Sequence, residues 1–139
     1  MNVLVDTSIW SLALRHKRQG LTPSDHVLIR ALAELVGYGR AQLIGPVRQE
    51  VLSGIREEAQ FARLREALHL YEETTLVVDD FEEAARMSNE CRRRGITGSP
   101  VDFLLCAVAE RHEWQIFTTD RDFDHYRRVL GLTLFSIPT

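Results

Sequence analysis

Short apolar runs alternate with longer amphipathic segments along this sequence, and the alternation constrains the fold more than any other feature. Five runs of four to six residues are rich in β-branched and aliphatic side chains, which predicts strands at 2–6, 41–44, 74–78, 115–119 and 132–137. Because the runs are apolar throughout rather than at every second position, both faces of their sheet must be covered. The pattern therefore predicts an α/β fold, a three-layer α/β/α arrangement with a five-stranded parallel sheet.

The segments between these runs carry apolar residues at helical spacing. They predict helices at 7–15, from 23 to 37 or 39, and at 46–55, 57–71, 79–94, 101–113 and 120–130, with a polar connector at 17–22. Pro23 and Pro46 stand where prolines open helices, and Gly37 and Gly95 stand where glycines end them. The 139 residues show no repeat and no linker, which predicts one domain over 1–139.

Composition excludes several classes of protein. Hydrophobic residues make up 45% of the chain and charged residues 27%, with a net charge of −3, which excludes a disordered or low-complexity protein. The longest apolar run, 103–109, is far shorter than the roughly 20 residues of a membrane helix. The N-terminal segment lacks the basic start of a signal peptide. Cys91 and Cys106 have no CxxC spacing, so we expect unpaired thiols and a cytoplasmic protein without membrane attachment.

Acidic residues stand just after predicted strands or near the beginning of predicted helices. Asp6 ends the first strand and Asp120 follows the fourth, while Glu50 and Asp102 lie near the starts of two helices. In a parallel sheet covered on both faces, ligands bind outside the carboxyl ends of the strands. We therefore expect these acids to meet at one edge of the sheet. The full set is Asp6, Glu50, Asp102, Asp120, Asp122 and Asp124.

Each of these acids also has a purely structural explanation. Asp6 and Asp120 fit N-caps, Asp102 fits the third position of a capping box, and Glu50 fits a solvated surface residue. As a group the acids are harder to explain, because two carboxylates about 4 Å apart repel by roughly 4 kcal/mol at an effective dielectric near 20. The chain has a single lysine, Lys17, so arginines or a metal ion must neutralise the cluster.

Carboxylate ligands favour Mg²⁺ or Mn²⁺ over zinc, and no histidine or cysteine has the spacing of a metal ligand. Such an ion takes phosphate oxygens, polarises a phosphodiester and lowers the pKa of an attacking water. Other sites are poorly supported: the chain has no P-loop and no GxSxG, and Gly37-Tyr38-Gly39 lacks the third glycine of a dinucleotide fingerprint. A receiver domain would have lysine near Phe135-Ser136, and a haloacid-dehalogenase phosphatase would have DxD at residues 6–8.

Four motifs in order along the chain resemble those of the PIN-domain family, and most of all its VapC ribonuclease toxins. They are VDTS at 5–8, PVRQEVLSG at 46–54, VDFLLCAVA at 101–109 and TTDRDF at 118–123. The resemblance implies a metal-dependent endoribonuclease that binds Mg²⁺ or Mn²⁺. Its acidic quartet would be Asp6, Glu50, Asp102 and Asp120, with Asp122 as a fifth member and Thr7 and Thr119 as supporting hydroxyls.

From the residues and the resemblance together we expect hydrolysis of RNA phosphodiesters by metal-activated water. Asp6, Asp102, Asp120 and Asp122 would hold the metal, and Glu50 would orient or deprotonate the water. Two alternatives remain open: a non-catalytic RNA- or protein-binding PIN module, and a DNA-acting nuclease of the same fold.

The resemblance also implies a homodimer that a cognate antitoxin protein neutralises. Wide apolar stripes on the predicted helices at 24–36 and 57–71 agree with a protein partner. The same stripes are also explained if the two helices pack only on each other.

Overall fold

The computed structural model describes residues 1–15 and 18–137, so part of the predicted connector at 17–22 lies outside the described residues. Three parallel strands form the sheet: β1 (Val3–Val5), β2 (Ala41–Gln42) and β3 (Gln115–Phe117). Their order is β2-β1-β3, and Val3 pairs with Ala41 on one side and with Gln115 on the other. The chain therefore runs from the central strand β1 to β2 on one side of it, and later returns to β3 on the other side. Right-handed crossovers in opposite directions place the connecting helices on opposite faces of the sheet.

The prediction of five strands is wrong, because the run at 74–78 forms no strand and the run at 132–137 forms only an isolated bridge. Just before the first run, Glu73 bridges Leu43. The next helix begins at Gly45, two residues after Leu43, so this pairing cannot continue into a ladder. Within the second run, Leu134 bridges Ile116 in the middle of the three-residue strand β3. Both bridges are parallel, as predicted for all the strands, but neither extends into a ladder.

The described residues form seven α-helices whose bounds differ from the predicted ones by a few residues. They are α1 (Thr7–Leu14), α2 (Pro23–Gly37), α3 (Gly45–Leu52), α4 (Glu58–Leu68), α5 (Val78–Arg93), α6 (Pro100–His112) and α7 (Asp122–Leu130). A 3₁₀ turn spans Arg18–Gly20. None of the described helices is both long and apolar enough to cross a bilayer.

Helix α6 is the centre of the packing. All seven residues of its segment 103–109 are buried, because α6 packs between β3 and α5. Cys91 and Cys106 are both buried and free. On α2, Ala31, Leu32 and Leu35 are buried, whereas Val27 stays 47% exposed. Helix α2 packs on α1 and α4 packs on α3, so each of the two apolar stripes has a different neighbour.

A buried ion pair joins the start of α5 to the end of α6. Asp80 is 1% exposed, and its two carboxylate oxygens accept hydrogen bonds from Arg111 Nε at 2.7 Å and Nη2 at 2.9 Å. The same carboxylate accepts the backbone N–H of Val77 at 2.9 Å, which fixes the start of α5. Burial raises the pKa of Asp80, but the hydrogen bonds from Arg111 and Val77 outweigh it and the pKa is lowered. The pair is structural and holds α5 against the helix that carries Asp102.

Candidate metal centre

Asp6 follows the central strand directly, at the edge of the sheet where the carboxyl ends of the strands meet. The residue is 5% exposed, and its Oδ2 accepts hydrogen bonds from the Thr118 hydroxyl at 2.6 Å and the Ser8 hydroxyl at 2.9 Å. Its backbone N–H donates to the Phe117 carbonyl at 2.9 Å, which continues the pairing of β1 with β3. Neutral hydroxyls satisfy the carboxylate without cancelling its charge, so the charge remains available to a cation.

The segment after β3 brings Asp120 and Asp122 to the same edge. The Thr118 hydroxyl that donates to Asp6 also accepts the backbone N–H of Asp120 at 2.9 Å. The Asp120 Oδ1 in turn accepts the N–H of Asp122 at 2.9 Å, where α7 begins. A single threonine hydroxyl therefore connects the acid of β1 with the acids that follow β3.

Asp102 reaches the site from the first turn of α6. The N-cap residue Ser99 accepts its backbone N–H at 3.1 Å, and its carboxylate Oδ2 accepts the Tyr126 hydroxyl at 2.6 Å. Burial raises the pKa of the Asp102 carboxyl, and hydrogen bonding from the side chains of Tyr126 and Ser99 lowers it. Repulsion from Asp6 and Asp120 raises the pKa as well, and the net shift is upward. Burial is the largest cause of this shift, and the neighbouring carboxylates of Asp6 and Asp120 add to it.

Three carboxylates converge beside Asp6. One oxygen from each of Asp102, Asp120 and Asp122 lies within 4.8 Å of the other two. Two oxygens that share a Mg²⁺ ion at about 2.1 Å each are at most about 4.2 Å apart, so small side-chain adjustments separate this cluster from a shared ion. Oxygen-only donors fit Mg²⁺ or Mn²⁺, and a divalent cation would relieve the repulsion at Asp102.

Glu50 stands to one side of this cluster, exposed on α3. Its Oε1 accepts a hydrogen bond from the Thr7 hydroxyl at 2.6 Å, and Thr7 directly follows Asp6. An open cleft of about 580 Å³ lies beside this pair and is lined by Thr7, Pro46, Gln49, Glu50, Ser53 and Val101. The Glu50 carboxylate therefore lies at the wall of an open cleft.

Helix capping, the structural explanation for several of these acids, holds for some of them and not for others. Asp6 occupies the N-cap position of α1, but its side chain makes no capping hydrogen bond. Asp120 accepts the N–H of Asp122 at the start of α7, but the N-cap position itself is Arg121 and not Asp120 as predicted. At Asp102 the backbone half of the capping box is present, while the carboxylate accepts the Tyr126 hydroxyl. Capping therefore does not account for the side chains of Asp6 and Asp102.

More hydroxyl groups contact the acids than the two, Thr7 and Thr119, that the motifs predict. The Thr7 hydroxyl donates to Glu50, whereas Thr119 is exposed and donates its backbone N–H to Ser8 Oγ at 3.1 Å. The side chains of Ser8 and Thr118 contact Asp6 and were not singled out, although both stand within two residues of an acid in VDTS and TTDRDF. The sequence gives no signal for a role of Tyr126 beside the acids, because its spacing on α7 is that of an ordinary buried aromatic residue.

Comparisons with known proteins agree with the motifs. The family model described as "PIN domain" matches residues 3–129, which include all four motifs. The VapC ribonuclease Mb1587 of Mycobacterium bovis and the ribonuclease VapC11 of Mycobacterium tuberculosis are each 30% identical over 134 residues, covering 94% of this chain and 95% of the relative. The solved structure of VapBC2 from Rickettsia felis, bound to a DNA fragment from its promoter, has a TM-score of 0.75 at 16% identity. It covers 97% of this chain and 98% of that one.

Proposed function

Because this chain belongs to the PIN-domain family, we propose that it is an endoribonuclease that hydrolyses RNA phosphodiesters and depends on Mg²⁺ or Mn²⁺. The convergence of Asp102, Asp120 and Asp122 within 4.8 Å, next to the buried Asp6, carries this proposal. The family match confirms the resemblance drawn from the four motifs. The two relatives that are 30% identical are both named as ribonucleases, which supports a nuclease rather than a binding module. The catalytic unit is one domain over 1–139.

The acids of the sheet edge have different roles in this proposal. Asp6, Asp102, Asp120 and Asp122 hold the metal, and the hydroxyls of Ser8 and Thr118 orient the Asp6 carboxylate. When bound, the metal polarises the phosphodiester and lowers the pKa of the attacking water.

Glu50 orients or deprotonates that water. The hydrogen bond from Thr7 holds Oε1, which leaves Oε2 to accept a proton, and the exposed position gives water free access to Glu50. Thr119 supports the site through its backbone N–H, which donates to Ser8 Oγ.

The direct test of this function is a cleavage assay with the purified protein on labelled RNA and on DNA of matched sequence. We expect cleavage of RNA with Mg²⁺ or Mn²⁺, loss of cleavage in EDTA, and recovery when Mg²⁺ is added back. Cleavage of DNA in preference to RNA would make the protein a DNA nuclease of the same fold. Binding of RNA without cleavage under any metal would make it a non-catalytic module.

Metal binding should stabilise the folded protein. A ligand at a hundred times its Kd stabilises the native state by about 2.7 kcal/mol, which raises Tm by several degrees in a chain of this size. We expect Mn²⁺ to raise the Tm of the wild type, and to raise it much less in Asp102→Asn.

The matched control for this experiment is Asp124→Asn, because Asp124 lies two residues from Asp122 but pairs with Arg127 at 3.1 Å. Its Tm should rise with Mn²⁺ as in the wild type. Equal shifts in Asp102→Asn and the wild type would place the bound metal elsewhere on the chain.

We further propose that the nuclease is the toxin of a toxin–antitoxin pair, acts in the cytoplasm as a homodimer, and is neutralised by a cognate antitoxin protein. The support is the VapC name of the relatives and the VapBC identity of the similar structure. Expression should arrest growth, and co-expression of the neighbouring small gene should rescue it, while the mass in solution should be that of two chains. A monomer that cleaves RNA but is harmless at high expression would belong outside the toxin class.

A further inference from the structure

The hydroxyl of Tyr126 contacts the candidate metal centre and has no role in the proposal so far. Tyr126 is fully buried on α7, with its ring centroid 5.0 Å from that of Phe103 and 5.1 Å from that of Phe123. Its hydroxyl points out of this aromatic cluster and donates to Asp102 Oδ2 at 2.6 Å. A short hydrogen bond to a carboxylate is stronger than one between neutral groups.

This hydrogen bond connects the helices that carry two of the converging acids, Asp102 and Asp122. Tyr126 lies four residues after Asp122, so both stand on the same face of α7. Asp102 lies in the first turn of α6. The Tyr126 hydroxyl thereby ties the helix of Asp122 to the carboxylate of Asp102, and it leaves the remaining lone pairs of that carboxylate for a cation.

Gly98 adds a second, independent observation about the same hydroxyl. A Cβ atom on Gly98 would lie 2.2 Å from the Tyr126 hydroxyl oxygen and 2.7 Å from Cζ of the ring. Those distances are far below van der Waals contact, so the loop before α6 closes directly over the hydroxyl. The position of Tyr126 is therefore fixed by the aromatic cluster on one side and by the Gly98 backbone on the other.

We propose that Tyr126 is a positioning residue of the metal centre, whose buried hydroxyl holds the Asp102 carboxylate at the spacing from Asp120 and Asp122 that a divalent cation needs. Gly98 is a glycine in this account because the hydroxyl occupies the place of its side chain. The inference rests on the proposed metal dependence and deepens it. Partners that orient metal ligands typically change metal affinity about 10–100-fold when they are removed.

The test is Tyr126→Phe, which removes the hydroxyl and keeps the ring between Phe103 and Phe123. We expect the Kd for Mn²⁺, measured by calorimetry, to rise about tenfold. RNA cleavage should fall at limiting Mn²⁺ and recover at saturating Mn²⁺, since the hydroxyl places a ligand and does not touch the substrate. The Tm in EDTA should stay within a few degrees of the wild type, whereas a residue that matters only for packing would change Tm and leave the Kd alone.

The control is Tyr38→Phe, because Tyr38 is 80% exposed at the end of α2, where the chain enters β2 from the edge opposite the acids. It should bind Mn²⁺ as the wild type does. Gly98→Ala should raise the Kd as well, since the added methyl group displaces the hydroxyl.

A wild type and a Tyr126→Phe variant with equal Kd for Mn²⁺ would overturn the positioning role, even if the wild type cleaves RNA. A Kd that depends on Tyr126 in a protein that cleaves no RNA would support the positioning role and overturn the proposed nuclease. A wild type that binds no Mn²⁺ would overturn both.

Discussion

Replacing Asp6 with asparagine is expected to lower the rate of RNA cleavage at least about a hundredfold. Loss of a residue that only orients a metal ligand already costs about 10–100-fold, and Asp6 is proposed as a ligand itself. Asparagine has nearly the same shape and still offers an oxygen to the hydroxyls of Ser8 and Thr118, so the fold should persist. Initial rates on labelled RNA at saturating Mg²⁺, with circular dichroism on the same samples, measure both effects.

Asp124→Asn is the matched control for this substitution as well, because it removes one charge from the same region without touching the cluster. It should retain the wild-type rate. Full activity in Asp6→Asn, with an unchanged requirement for Mg²⁺, would remove Asp6 from the metal site.

The Asp80→Ala variant is expected to lose about 2–3 kcal/mol of its free energy of unfolding. Breaking a buried ion pair typically costs 3–5 kcal/mol. The Arg111 side chain is 34% exposed and can regain water, which places the cost below that range. Urea unfolding at pH 7 measures the loss, and RNA cleavage should be unaffected where the variant is folded.

The stabilisation that Asp80 gives the folded protein should be lost as the pH falls. Its pKa is lowered in the folded protein, so its stabilisation is present above the unfolded pKa of about 3.9 and is lost as pH falls through the folded pKa. The difference between the wild type and Asp80→Ala should therefore be largest near pH 7 and shrink below about pH 4. Glu83→Ala is the control on the same helix, since it breaks the surface pair with Arg86 at 3.3 Å and should change stability by under about 1 kcal/mol. An equal loss in both variants would contradict a special role for the buried pair.

An apolar run in the sequence predicts a strand correctly in some places and wrongly in others. The runs at 2–6 and 115–119 pair with each other and form strands, although each strand is shorter than its run. The run at 74–78 fails because Asp80 accepts the N–H of Val77 and starts a helix there, which leaves Val78 72% exposed. The β-branched pair Val77-Val78 favours a strand locally. The hydrogen bond from the Val77 N–H to the buried Asp80 carboxylate starts a helix there instead. That acid is held by Arg111, 31 residues away, so no local pattern could reveal the conflict.

The acids of the candidate site were predictable because their positions follow from the topology. Asp6 and Asp120 come after parallel strands that are neighbours in the sheet, so they meet whatever the details of packing. The contact between Tyr126 and Asp102 depends instead on how α7 packs against the start of α6, which no periodicity encodes. The same holds for Gly98, since a glycine before a helix reads as an ordinary loop residue until the tyrosine beside it is known.

The most direct measurement of the central claim follows bound Mn²⁺ and RNA cleavage together in one titration. Free Mn²⁺ is monitored by electron paramagnetic resonance while the cleavage of labelled RNA is read from the same samples. If the acids of the sheet edge hold the metal that cleavage needs, the rate rises in proportion to bound Mn²⁺, and both vanish in EDTA. Full cleavage in EDTA, or saturation of the binding sites without any cleavage, would contradict the account.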